Sequence, residues 1–192
     1  MTRDTTATHK LAKFDEFKTL DEPHLKAMKE GAEWLTSAML RHESPRWLTL
    51  LGPSGTGKTY LARMIYRIAR NNLMGYEGRD GWPHTRLMRW INWRKFCDLI
   101  RGGDYTRTEF VIDPWMAVLD DIGAEYDPSG FLTSKLDRVI NERLRKWTVV
   151  TCNLSLEEIS SKLDRRIASR MIRDGNKVIE VNATDFALRG EG

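Results

Sequence analysis

A glycine-rich segment from Gly52 to Thr59, with the sequence GPSGTGKT, matches the phosphate-loop pattern G-x-x-x-x-G-K-[ST]. Its glycines let the backbone turn tightly and aim N–H groups at phosphate oxygens. Lys58 can reach the outer phosphates, and the Thr59 hydroxyl can ligate magnesium. We therefore predict that the chain binds ATP, or a close analogue, together with Mg²⁺. The predicted nucleotide contacts are Gly52, Pro53, Ser54, Gly55, Thr56, Gly57, Lys58, Thr59 and Tyr60.

Two adjacent carboxylates, Asp120 and Asp121, follow the apolar run 115–119. In open parallel sheets ligands bind at the carboxyl ends of the strands, where the phosphate loop also lies. One carboxylate can hold magnesium, and the next can orient and deprotonate an attacking water. We assign Asp120 to the metal and Asp121 to the water. A solvated Asp-Asp turn is the alternative.

Three further polar residues are candidates for the same reaction. Asn153 follows the apolar run 148–152, and its amide can position the attacking water. Arg166 and Arg170 share one face of a predicted helix, with no obvious acidic partner there. An arginine can stabilise the charge that develops in phosphoryl transfer, including that of a nucleotide on a neighbouring subunit. Spacing alone favours a solvated basic face for these two arginines.

The periodicity of apolar residues predicts how these groups are positioned. Helices are expected over 22–42, 58–72, 93–101 and 130–147, the first with Asp21 as its N-cap, while 104–114 reads as irregular. Strands are expected over 47–51, 86–93, 115–119, 148–152 and 177–181. A helix capped by Ser155 and Glu158 continues one apolar face through Met171. This alternation predicts a parallel sheet with helices on both faces.

Composition narrows the class of protein. The chain has 192 residues, 41% hydrophobic and 30% charged, which fits one globular domain at 14–192 after a flexible tail at 1–13, with a loop at 73–85. No apolar run approaches the ~20 residues that a membrane span needs. Two distant cysteines and a polar N-terminus favour buried free thiols in a cytoplasmic protein.

The motifs together resemble the AAA+ ATPases, specifically the branch of DnaC/DnaI helicase loaders and IstB transposition helpers. The resembling segments lie at 52–59, 119–123, 140–143, 151–155 and 166–171, within a span from Phe14 to Val181. The resemblance implies a P-loop NTPase core with sheet order 5-1-4-3-2, and no room for a C-terminal lid domain after Val181. It also implies Asp120 and Asp121 as Walker B acids, Asn153 as sensor 1 and Arg170 as an arginine finger, with Arg166 its rival. The second acid departs from the glutamate usual in AAA+ proteins.

These segments predict one leading function and leave three alternatives open. The leading interpretation is an ATP-hydrolysing accessory of DNA replication that forms a homo-oligomer on single-stranded DNA, with ATP at subunit interfaces and a replicative helicase or a transposase as partner. Arg94 and Lys95 are the candidate DNA contacts, because they lie in a segment where basic residues alternate with tryptophans. An IstB-like transposition helper, a small P-loop kinase and a switch that binds ATP without hydrolysing it are the alternatives.

Overall fold

The computed structural model describes residues 14–73, 87–103, 107–123, 125–183 and 185–186. The expected tail at 1–13, and almost all of the expected loop at 73–85, lie outside these ranges. None of the described helices is both long and apolar enough to cross a membrane.

A five-stranded sheet forms the centre of the fold, and every paired strand is parallel. Its order is β2-β3-β4-β1-β5, which confirms the predicted 5-1-4-3-2 arrangement. The central strand β4 and its neighbour β1 are buried along their whole length, as parallel strands covered on both faces must be. The strands are β1 (Trp47–Leu51), β2 (Met88–Asn92), β3 (Met116–Ile122), β4 (Trp147–Cys152) and β5 (Lys177–Glu180).

Helices cover both faces of the sheet. Because successive side chains of a strand point to opposite faces, Leu48 and Leu50 pack with the first two helices, while Trp47 and Leu51 pack with the third, fifth and seventh. Two apolar layers result, which confirms the α/β prediction. The helices are α1 (Pro23–Leu40), α2 (Lys58–Leu73), α3 (Trp93–Arg101), α4 (Thr108–Ile112), α5 (Phe131–Glu142), α6 (Leu156–Glu158) and α7 (Arg165–Met171).

Two helices differ from the periodic pattern that predicted them. Helix α5 ends at Glu142 rather than at 147, because the chain turns at Arg143 and Trp147 already belongs to β4. The predicted helix from Ser155 keeps its capping box but breaks after a π-helical segment, Ile159–Leu163. Asp164 is extended there, and its side chain accepts a hydrogen bond from the backbone N–H of Arg166, which starts α7 anew.

Smaller corrections concern the ends of elements. Glu22, not Asp21, is the N-cap residue of α1, since Asp21 adopts a left-handed φ of 58°. Helix α4 occupies part of a stretch expected to be irregular. Strand β3 extends through both acidic residues to Ile122. Past β5, the described residues 181–183 and 185–186 form no α-helix.

Candidate nucleotide-binding site

The phosphate loop joins β1 to α2 and borders a cleft of about 400 Å³ at the carboxyl edge of the sheet. The Gly52 N–H donates to the Cys152 carbonyl (3.1 Å), which ties the loop to β4. Gly52 has a φ of 131°, and a Cβ there would collide with the carbonyl oxygen of Val181, so only glycine fits. The N-terminus of the 16-residue helix α2 faces the cleft, where its dipole favours an anion.

Lys58 supplies the positive charge of this loop. Its side chain is buried, and Nζ donates to the carbonyl oxygens of Gly52 (2.7 Å) and Pro53 (2.6 Å). Burial lowers the pKa of Lys58, while the negative charges of Asp121 and Asp120 oppose that shift. The ammonium group of Lys58 therefore lies over the loop. Its N–H groups can donate to phosphate oxygens in place of these carbonyl oxygens.

Asp120 is buried beside the hydroxyl of Thr59. Thr59 Oγ1 donates to Asp120 Oδ1 at 2.8 Å, so the first helical turn of α2 and the end of β3 are joined across the cleft. Hydroxyl and carboxylate oxygens are the hard ligands that Mg²⁺ prefers. The donor set of Thr59 and Asp120 therefore has the chemistry of a magnesium site.

Asp121 and Asn153 meet at the same edge. The amide Nδ2 of Asn153 donates to Asp121 Oδ1 at 2.9 Å. Asp121 lies near the end of β3, and Asn153 directly follows β4. Asp121 has a φ of 63°, a left-handed conformation that aims its side chain differently from a regular strand residue. The two groups assigned to the attacking water are thus brought together, next to Lys58, Thr59 and Asp120.

The two arginines of α7 lie outside this cleft. Arg170 forms an ion pair with Asp137 of α5, and its side chain is 18% exposed. Arg166 is 71% exposed and forms an ion pair with Asp164 (3.0 Å), which raises its pKa. The expectation that neither has an acidic partner was wrong. Helical spacing could not reveal Asp137, because it comes from another helix.

A second cavity, of about 380 Å³, adjoins the phosphate loop on the other side. The rings of Phe17 and Tyr60 stack there at 6.4 Å, and the Phe186 N–H donates to the Gly55 carbonyl (2.9 Å). Tyr60 lines both cavities, so one ligand can extend from one into the other. The lining is Glu16, Phe17, Lys18, Leu25, Gly55, Thr56, Gly57, Tyr60 and Phe186.

Most residues of this second cavity were not predicted, because Phe17 and Phe186 come from opposite ends of the described chain. Two polar residues of the cleft were also missed, Asn92 and Thr151. Asn92 ends β2 in register with Asp120 and accepts a hydrogen bond from the Lys95 N–H (3.0 Å) at the start of α3. The available signal was a polar residue at the carboxyl end of a strand, the same signal that identified Asn153.

A basic groove of about 690 Å³ follows the outer strand β2 and helices α3 and α4. Arg94 and Lys95 are exposed, whereas the neighbouring Trp93 is fully buried and donates from Nε1 to Glu125 (2.8 Å). The groove is lined by Arg89, Trp90, Ile91, Asn92, Lys95, Phe96, Leu99, Arg107, Phe110 and Val111. Cations and aromatic rings thus share one accessible surface, and Lys95 belongs to it.

Comparison with known proteins identifies the fold. No protein-family model and no curated protein matches the sequence. Among solved structures, the DnaC helicase loader matches with a TM-score of 0.60 and 21% identity, over 80% of this chain and 90% of that one. DnaI matches with a TM-score of 0.62 and 20% identity, over 88% of each chain. The replication initiator DnaA, bound to AMPPCP and single-stranded DNA, matches with 0.53 and 17%, over 83% and 46%. The chain has the AAA+ ATPase fold, which confirms the resemblance.

Proposed function

We propose that this protein is a Mg²⁺-dependent ATPase that acts as an accessory of DNA replication, in the manner of helicase loaders. The observation that carries the proposal is the convergence of Lys58, Thr59, Asp120, Asp121 and Asn153 in one cleft. These residues come from three separate segments, the start of α2, the end of β3 and the residue after β4, and each has the chemical type that phosphoryl transfer to water requires. The replication-associated AAA+ proteins that share the fold support the same assignment.

The two adjoining cavities suit the two parts of ATP. The triphosphate lies on the backbone N–H groups of the loop, with Lys58 as its counter-charge. The apolar cavity beside Phe17 and Phe186 receives the base, and Tyr60 lies between the two parts. DnaA, which shares the fold, is bound to AMPPCP, and this supports the binding of a nucleotide here. Thr59 and Asp120 would hold magnesium, which would neutralise phosphate charge when bound.

Hydrolysis is assigned to the pair of Asp121 and Asn153. Asp121 accepts a proton from the attacking water, and the Asn153 amide, 2.9 Å from Asp121, holds that water and the carboxylate in register. Asp120 accepts a hydrogen bond from the Thr59 hydroxyl and is assigned to the metal rather than to the water. This division of roles explains why two adjacent carboxylates are both needed.

Arg170 is proposed to act across a subunit interface in a homo-oligomer. To reach a neighbour's nucleotide it must leave Asp137 of α5, whereas the more exposed Arg166 pairs with Asp164, two residues away on its own segment. The test uses mixed oligomers. Turnover lost in Arg170→Ala is expected to return when Asp121→Asn subunits are added, because each variant supplies what the other lacks. Rescue of Arg166→Ala, with Arg170→Ala fully active, would transfer the role to Arg166.

Single-stranded DNA is the proposed nucleic-acid partner, and the basic groove is its site. Arg89 and Lys95 neutralise phosphates while Phe110, 57% exposed, offers a ring for base stacking. Arg94 is exposed beside the groove. DnaA bound to single-stranded DNA shares the fold. A replicative helicase is the proposed protein partner, since DnaC, a helicase loader, has the same architecture.

The experiment is an ATPase assay with and without single-stranded DNA, at several salt concentrations. We expect Mg²⁺-dependent phosphate release that DNA stimulates, and stimulation that falls steeply as salt rises. Phosphate transfer to a nucleoside acceptor would instead identify a kinase. ATP binding without turnover, with or without DNA, would identify a switch. Either of these two results would overturn the proposed function.

A further inference from the structure

Thr151 lies opposite an irregularity in β3 that contains both acidic residues. Leu119 pairs with Val150 and Ile122 pairs with Cys152, so Asp120 and Asp121 together face the single residue Thr151. Two residues opposite one define a β-bulge, a feature that re-aims side chains and is frequent beside active sites. Because of the bulge, Asp120 and Asp121 both line the cleft although they are adjacent in one strand.

One hydroxyl group contacts both halves of this bulge. Thr151 Oγ1 donates to Asp120 Oδ1 at 2.8 Å, and it accepts the backbone N–H of Asp121 at 2.9 Å. A hydroxyl has a single proton, and the backbone N–H can only donate, so the proton of Thr151 must be directed at Asp120. Thr151 is 1% exposed, so little solvent reaches either bond.

We infer that Thr151 is a positioning residue for the proposed ATP hydrolysis, because its hydroxyl sets the positions of both carboxylates at once. The inference rests on the proposed function. On the metal side, Asp120 Oδ1 accepts the hydroxyls of Thr151 and Thr59, which fixes the carboxylate's orientation between β4 and α2. On the water side, the Thr151 hydroxyl accepts the Asp121 N–H in place of the backbone carbonyl that would accept it in a regular sheet.

The energetic reason lies in the left-handed backbone of Asp121. Such a conformation is unfavourable for an L-residue other than glycine, and an unpaired N–H in a part-buried site adds a second cost. The Thr151 hydroxyl removes the second cost and so keeps the first one tolerable. Without it the bulge is free to relax toward regular pairing, which moves the Asp121 side chain away from Asn153.

The test compares Thr151→Val, which has the same shape without the hydroxyl, with Thr151→Ser, which keeps it. Thr49→Val is the matched control, because Thr49 is an equally buried threonine of the same sheet whose hydroxyl has no hydrogen-bond partner among the described residues. We expect kcat for ATP hydrolysis to fall about 10- to 100-fold in Thr151→Val, less than the loss of about 10²- to 10⁴-fold typical when a general base is removed, because the base is displaced rather than absent; KM should be nearly unchanged. The Mg²⁺ concentration for half-maximal activity should also rise.

A merely structural role would not produce this pattern. Thr151→Ser must retain turnover within about threefold of the wild type, and Thr49→Val must leave kcat and the Mg²⁺ dependence unchanged. Wild-type turnover in Thr151→Val, or a tenfold loss in Thr151→Ser, would overturn the assignment of Thr151 alone. Absence of turnover in the wild type would overturn the proposed function, and this assignment with it.

Discussion

Replacing Asp121 with asparagine isolates the charge of the proposed catalytic base. Asparagine has the same shape, and it tolerates a left-handed φ, here 63°, at least as well as aspartate does. Its side-chain oxygen can still accept the hydrogen bond from Asn153 Nδ2, and its N–H can still donate to Thr151. The substitution therefore leaves the backbone, the bulge and the phosphate loop in place.

The expected magnitude follows from what remains after this change. Lys58, Thr59 and Asp120 do not contact the altered oxygen in the described structure, so ATP affinity should stay within about threefold of the wild type. An amide cannot take a proton from water, so the whole general-base contribution is lost. That contribution is typically about 10²- to 10⁴-fold in kcat.

Single-turnover hydrolysis of radiolabelled ATP, with binding measured separately by calorimetry, separates these two effects. Asp174→Asn is the matched control, since Asp174 is an exposed aspartate with a similar left-handed φ of 57°. The control should leave both binding and turnover unchanged. Hydrolysis by Asp121→Asn within about threefold of the wild-type rate would refute the role of Asp121 as the base.

Three further predictions concern stability, the labelling of buried thiols and the pH dependence of unfolding. Arg143→Met should lower the free energy of unfolding by about 3 kcal/mol in urea titrations, because Arg143 is fully buried and makes five hydrogen bonds to the described chain. The control is Arg138→Met, which alters an exposed arginine and should cost less than about 1 kcal/mol. Equal effects of the two substitutions would contradict this prediction. Burial raises the pKa of Cys97 and of Cys152 to about 12, so a thiol reagent at pH 8 should label them only as the chain unfolds, and rapid labelling would contradict their burial. Because the thiols of the unfolded chain ionise at the ordinary pKa of 9.0, these groups should lower the free energy of unfolding as pH rises from about 9 to about 12.

The sheet was predictable because buried parallel strands are continuous apolar runs, and the structure reproduces 47–51 as β1. The phosphate loop was predictable because its residues are contiguous. The break at Asp164 was not, since Ile159 and Ile167 are buried with or without it, and apolar spacing reports only burial. The ion pair of Arg170 depends on how α5 packs against α7, which no local pattern encodes.

Arg143 shows the same limit in the core. An arginine within the predicted helix 130–147 is expected at the surface. Its guanidinium is instead buried and donates to the carbonyl oxygens of Val111 and Ile112, at the end of α4, and of Pro114. Burial without an acidic partner among the described residues lowers the pKa of Arg143 to about 9. Its role arises because α4, α5 and β4 converge on one point, and that convergence exists only in the folded chain.

The most direct test of the account is calorimetric titration of wild type and Lys58→Ala with a non-hydrolysable ATP analogue and Mg²⁺. The wild type should bind, and Lys58→Ala should bind at least tenfold more weakly, because charge-assisted hydrogen bonds to phosphate contribute about 1.5–3 kcal/mol each. Lys95→Ala, exposed and outside the cleft, is the control and should bind like the wild type. Undiminished affinity in Lys58→Ala would contradict the claim that this phosphate loop holds the nucleotide.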